Sequence, residues 1–171
     1  MASKWKLDPA HSEVTFKVKH MMIAHSSGQI TKFDVSASAE DDQFSNPVGT
    51  FTAEVASIKT GDDQRDGHLQ SADFFNAAEF PEIKFVTQKV AGDKIHGDLT
   101  IKGITKPVVL DFDFGGINKD PWGQTKAGFT ISGKINRKDW DLTWNAALET
   151  GGFLVGEEVK VNVEIQLVKE A

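Results

Sequence analysis

Along most of the chain apolar and polar residues alternate with a period of two, the pattern of strands that turn one face to a core and the other to water. Val14, Phe16 and Val18 alternate with Thr15, Lys17 and Lys19, and Phe33, Val35 and Ala37 alternate with Asp34, Ser36 and Ser38. The pattern continues through Phe51, Ala53 and Val55, through Ile83, Phe85 and Thr87, and through Ile95, Gly97, Leu99 and Ile101. Val108, Leu110, Phe112 and Phe114 stand against Asp111 and Asp113, with Pro107 expected to start that strand, where proline is tolerated. Ala127, Phe129, Ile131, Gly133 and Ile135 give a seventh strand, and Val159, Val161, Val163, Ile165 and Leu167 an eighth.

Interruptions of the pattern predict the connections. Gly92-Asp93 between two alternating runs predicts a primed two-residue hairpin turn. The stretch from Thr60 to Asp73 opens with capping and acidic residues that suit a helix N-terminus and predicts a short helix. From Asn136 to Trp144 a helical turn, with Trp140 and Trp144 at i, i+4, is expected to cover one end of the fold. Gly115-Gly116 through Trp122-Gly123, and Gly151-Gly152, are expected as loops.

Strands without alternating helices exclude a parallel α/β sheet. The expected fold is all-β, one domain over residues 1–171: an eight-stranded antiparallel up-and-down barrel with one or two short helices, closed because closure removes exposed edges. An open sandwich is the alternative. A barrel of this size is either filled by its own side chains or holds a ligand. Small inward positions, Ala37, Ala53, Gly97, Ala127 and Gly133, leave room inside, although large neighbours or strand bends account for them as well. In a hollow barrel, burying roughly ten methylenes contributes about 8 kcal/mol before ordering costs.

Composition narrows the chemistry. A hydrophobic fraction of 39% with 26% charged residues is that of a soluble globular protein. No apolar run approaches the roughly 20 residues of a membrane-spanning helix, and the opening residues lack the apolar region of a secretory signal. The expectation is a cytoplasmic protein, or one already processed from a secreted form. The absence of cysteine excludes disulfides, thiolate metal sites and cysteine nucleophiles, and the net charge of −6 argues against non-specific binding to nucleic acid.

Inward strand parity selects Phe16, Val18, Phe33, Val35, Phe51, Phe85, Leu99, Ile101, Phe112, Phe129, Ile131 and Val163 as candidate lipid-lining residues, with plain core packing as the competing role of each. Asp62, Arg65, Asp66 and His68, just before Phe74-Phe75, form a candidate head-group rim. Arg65 there either pairs with a phosphate or with a neighbouring carboxylate. His11 and Ser12 are adjacent in a strand-like segment and so point to opposite faces, which disfavours a catalytic pair. His20 and His25 lack metal-site spacing, and the Asp62-Gln64-Asp66-Asp73 run departs from a calcium loop at two ligand positions. Trp5, Trp122, Trp140 and Trp144 are expected near strand ends, chiefly as buried plugs.

Several ordered motifs carry a family resemblance: Trp5-Lys6-Leu7-Asp8-Pro9-Ala10-His11-Ser12, Asp62 to Leu69 ending Arg-Asp-Gly-His-Leu, Ala72-Asp73-Phe74-Phe75 and Glu79-Phe80-Pro81-Glu82-Ile83-Lys84-Phe85. Gly97 to Lys106 and Ile135-Asn136-Arg137-Lys138-Asp139-Trp140 extend it. Over nearly its whole length the chain resembles YceI-like proteins. The resemblance implies a lipocalin-like barrel that binds polyprenyl pyrophosphates, isoprenoid quinones or, in some members, fatty acyl chains, and a homodimer. With no convergent acid, base and nucleophile in the sequence, a lipid carrier is expected rather than an enzyme acting on a lipid or ester, or a ligand-free structural platform. No cofactor or metal is expected beyond the lipid, and transient membrane contact fits better than a membrane span.

Overall fold

The computed structural model describes residues 2–21, 23–145 and 155–170. In chain order the strands are β1 (Ser3–Leu7), β2 (Glu13–His20), β3 (Ala24–Ile30), β4 (Phe33–Ala39), β5 (Val48–Glu54) and β6 (Ile58–Lys59). After helix α1 (Asp63–Gln70) come β7 (Glu82–Ala91), β8 (Lys94–Ile101), β9 (Ile104–Lys119), β10 (Thr125–Asn136) and β11 (Val155–Lys169). Single helical turns lie at Pro9–His11, Val55–Ser57 and Arg137–Trp140.

All described pairings are antiparallel. The order β1-β4-β5-β7-β8-β9-β10-β11 closes on itself because β1 also pairs with β11, giving a closed eight-stranded barrel. On the edge away from β10, strand β11 serves two partners, β1 along residues 167–169 and β2 along residues 155–164. From β2 the sheet continues into β3 and β6. Register sets side chains of one face level with each other: Val35, Phe51, Phe85 and Leu99 are cross-strand neighbours in turn, as are Phe112, Ile131, Val163 and Val14.

Each end of the barrel carries a buried cluster. At one end Trp5 meets Phe44 edge to face at 5.3 Å, and Phe44 stacks on Phe129 at 5.9 Å. The Trp5 indole donates to Ser3 Oγ at 2.8 Å, so its polar atom is satisfied although the residue is only 1% exposed. At the other end Val55, Ile58, Ile83, Ile101, Trp140 and Leu142 pack together, and Trp140 donates to the Leu99 carbonyl at 2.9 Å.

Local expectations and structure differ in identifiable places. β1, β3 and β6 were not expected: β1 has only Trp5 and Leu7 for its apolar face, β6 is two residues long, and β3 carries Ser26, Ser27 and Gly28 where an apolar face would be. Val55 turns into a helical turn instead of prolonging its strand. Gly115 and Gly116 lie inside β9, and the turn is confined to the residues around Pro121-Trp122-Gly123, where Asp120 Oδ1 accepts from the Trp122 and Gln124 amides at 2.9 Å. Strand β9 starts at Ile104, not Pro107, because Lys102 and Gly103 (φ of 53° and 74°) form a two-residue turn. Pro107 is tolerated there because β10 pairs with β9 only from Asp111 onward. At Gly92-Asp93 the hairpin turn has Gly92 at φ 60°. Gly151-Gly152 lie outside the described residues.

Beside the Trp5 end, Lys126 donates to Asp8 Oδ2 at 2.7 Å, and His11 Nδ1 lies 2.9 Å from the same oxygen. Chiefly through the Lys126 bond, the Asp8 carboxyl is held below its ordinary value of 3.8 and the Lys126 ammonium above its ordinary 10.5. Asp8 therefore stabilises the fold above pH 3.8, and that contribution is lost as pH falls through its depressed native value. In urea titrations Asp8→Asn is expected to be less stable than the wild type at neutral pH, with the gap closing in acid. A gap independent of pH would contradict this.

Candidate binding cavity

Between the two end clusters the barrel is hollow. A cavity of about 580 Å³ runs through it, within the range of about 300–1,000 Å³ typical of small-molecule sites. All of the candidate lining residues face it except Phe33, which packs on Phe51 at 5.9 Å between the wall and the end clusters. Phe16, Val18, Phe51, Phe85, Leu99, Phe129, Ile131 and Val163 face inward yet are only half-buried. In a filled core such side chains would touch one another across the middle.

Of the two accounts of the small inward residues, room inside and cover by large neighbours, the second holds for the glycines. Neither Gly97 nor Gly133 borders the void, nor do Ala53 and Ala127, which lie in the packed ends; of that set only Ala37 does. A Cβ at Gly97 would stand 2.4 Å from Phe85 Cζ, and one at Gly133 2.7 Å from Leu110 Cδ2. Each glycine lets a large neighbour lie over it along the wall, which keeps that neighbour out of the bore. Gly28 does the same for Phe16, whose Cζ would be 2.5 Å from an added Cβ.

The mouth lies where α1 meets the ends of β2 and β3, lined by Lys19, His20, Thr60, Arg65, His68 and Trp144. Helix α1 is short and polar, and Asp62 caps it by accepting from the Gln64 and Arg65 amides at 2.9 and 3.2 Å. Among the described residues no carboxylate engages Arg65: its Nε and Nη2 donate to the Thr60 hydroxyl and carbonyl at 2.8 and 2.6 Å. Asp66 is buried and does not border the cavity. Its Oδ1 accepts from the Thr60 amide and hydroxyl at 2.9 and 2.5 Å, tying the helix to the strand before it. His68 borders the mouth with Nε2 3.0 Å from Asp73, its ring packed against Phe74 and Trp144.

The other candidate groups do not converge. Ser12 donates to the Asp8 carbonyl at 2.8 Å while His11 engages the Asp8 side chain, so the two side chains are turned to different groups. Asp62, Asp66 and Asp73 are each occupied by a different partner, and among the described residues no group of His, Cys, Asp or Glu is arranged to hold a metal. Trp5 and Trp140 are plugs as expected, Trp144 borders the mouth, and Trp122 is 85% exposed on its turn, too far along the β9–β10 hairpin to reach the interior.

Arg137 is the residue that sequence reading passed over. It borders the cavity, is buried, and gives all its bonds to backbone carbonyls: Nε to Gly156 at 2.8 Å, Nη1 to Leu142 at 2.5 Å and Trp144 at 3.0 Å, and Nη2 to Val155 at 3.2 Å. Asn145 binds Val155 on both sides, donating from Nδ2 at 2.6 Å and accepting from its amide at 3.0 Å. Burial lowers the pKa of the guanidinium, with Glu157 opposing, but an arginine remains charged. The signal was present: Ile131, Gly133 and Ile135 face inward, so the same parity carries to Arg137.

The sequence from residue 5 to 167 matches the family model described as the YceI-like domain. The chain belongs to the YceI-like family. A UPF0312 protein of Staphylococcus aureus strain MSSA476 is 41% identical over 159 residues, 92% of this chain and 93% of the relative. The YceI-like barrel also superposes on the crystal structure of the Campylobacter jejuni YceI protein with a TM-score of 0.74 at 31% identity, covering 96% of this chain and 97% of that one. A polyisoprenoid binding domain from Saccharophagus degradans, implicated in plant cell wall breakdown, shares the fold with a TM-score of 0.72 at 12% identity, covering 97% and 98% of the two chains.

Removing the Arg137 donors strands buried carbonyls at the mouth of this YceI-like barrel. Arg137→Met is expected to lower unfolding free energy by about 3 kcal/mol in denaturant titrations. A loss under about 1 kcal/mol would mean that water takes over those carbonyls.

Proposed function

We propose that this protein binds a long-chain isoprenoid or related lipid, a polyprenyl pyrophosphate, an isoprenoid quinone or a fatty acyl chain, inside its barrel for storage, transport or sequestration. The observation that carries this reading is the inward apolar wall left half-buried around the cavity. Such a wall forgoes the stabilisation of full burial, about 25 cal/mol for each Å² left uncovered, and an apolar chain in the bore supplies it. Length suits the cavity's course, which reaches from the α1 mouth to Phe44 at the far cluster. The polyisoprenoid ligand class of the S. degradans domain, which shares this fold, is consistent with the reading.

The head group would sit at the mouth, where Arg65 and His68 border the cavity and Arg65 is held by Thr60. Asp66 would act from behind by fixing Thr60. No nucleophile with its base adjoins the bore among the described residues, which favours a carrier over an enzyme.

Native mass spectrometry of freshly purified protein should find a co-purifying lipid, or uptake of added prenyl or acyl chains. Only apo mass under both conditions would overturn the reading. Ile131→Trp, which inserts a large ring into the bore, is expected to reduce uptake at least tenfold while far-UV circular dichroism keeps its β signature; unchanged uptake would place the lipid elsewhere. Ala replacements at Arg65 and His68 should weaken phosphate-bearing ligands more than neutral ones.

A further inference from the structure

Resting on that reading, we propose that the turn between β2 and β3 docks this protein onto an anionic lipid bilayer, bringing the mouth of the bore against the membrane from which it loads. Among the described residues Met21 and Ile23 stand exposed at this turn, at 43% and 84%. The residues on either side lead directly into the cavity, since Lys19, His20, Ser26 and Ser27 border it. Apolar surface at the tip is thus continuous with the entrance to the apolar bore. Among the described residues the other exposed large apolar side chains, Val48, Val109, Phe114 and Trp122, lie on other strands and turns, and Ile23 and Trp122 are the most exposed; Trp122 stands on the turn between β9 and β10, away from that entrance.

Charge identifies the surface that fits. The protein carries a net charge of −6, yet between Glu13 and Asp34 the chain has Lys17, Lys19 and Lys32 and no carboxylate. Register places exposed Lys17 beside exposed Lys160, and Lys160 beside exposed Lys134. The nearest carboxylates on β11 are already matched, Glu157 by Lys138 at 2.7 Å and Glu158 by Lys134 at 3.5 Å. Like charges directly opposite on neighbouring strands are unfavourable on their own. An anionic surface relieves that repulsion, at a gain of about fivefold in affinity for each lysine near it. Across the mouth Asp62 offsets Arg65 on α1, with Asp63 beside them, so the excess of positive charge lies on the lip that carries the apolar tip, and that lip faces the bilayer. An acidic protein would satisfy the lysines but would give Ile23 no apolar phase beside the bore.

The test is sedimentation of the full chain with phosphatidylcholine vesicles, with and without phosphatidylglycerol. Its variants are Met21→Ser/Ile23→Ser and Lys17→Glu/Lys160→Glu, none of which borders the cavity. Native mass spectrometry of each variant reports bore occupancy. Wild type should bind the phosphatidylglycerol vesicles, release on raising salt, and lose about tenfold in affinity in Met21→Ser/Ile23→Ser and at least about 25-fold in Lys17→Glu/Lys160→Glu, with the bore still occupied. Equal binding by wild type and variants overturns the proposal, as does absence of binding to anionic vesicles. A wild-type dimer that Met21→Ser/Ile23→Ser dissolves, without any vesicle binding, would assign the tip to an interface between copies and also overturn it. Tip-dependent vesicle binding by a protein that takes up no lipid would keep the docking surface and overturn the carrier reading instead.

Discussion

A closed wall whose apolar side chains meet nothing in the middle is the constraint on which this molecule depends. Ordinary cores gain stability by filling space at near-crystalline density. Here that gain is confined to two end clusters, around Trp5 and Phe44 at one end and around Trp140, Val55 and Ile58 at the other. The strands between them must be held by their hydrogen-bond ladders and by these ends. Closure of the ladder is therefore necessary, and β1 provides it by pairing with β4 on one side and β11 on the other.

The bore stays open through pairs of residues. Phe85 over Gly97, Leu110 over Gly133 and Phe16 over Gly28 each combine a large side chain with the only residue that lets it lie along the wall. Enlarging such a glycine drives its neighbour inward. At the mouth the same economy of space holds for polar groups: Thr60 binds both Asp66 and Arg65, and Arg137 gathers the carbonyls of Leu142, Trp144, Val155 and Gly156. A guanidinium is suited to that task because its fixed fork can serve several acceptors at once.

The main features were legible in the sequence because period two is a strong signal over long strands, and β7 to β11 contain few departures from it. Inward parity located the wall, Phe33 apart, since that residue lies at the first position of β4 where wall gives way to packed end. What could not be read has physical causes. Strand β1 has only Trp5 and Leu7 for its apolar face, β6 is two residues long, and β3 places serines and a glycine along its length because it flanks the mouth. Which of the two roles the small residues play could not be read because alternation gives the side of the sheet but not which neighbour leans across it. That Thr60 holds Arg65 could not be read because backbone and hydroxyl acceptors leave no mark in charge spacing.

The seam between β1 and β11 has a kinetic side. Trp5 sits opposite Lys169, so the pair that seals the ring joins residues separated by almost the entire chain. Contacts of such long sequence separation form late and slowly, because a large loop must be ordered before they are made. During synthesis β11 follows every other strand, and until it arrives the inner faces of β4 to β10 have no closing partner. The hollow interior is then an open trough of phenylalanine, valine and isoleucine, the stage at which self-association would compete most strongly with folding.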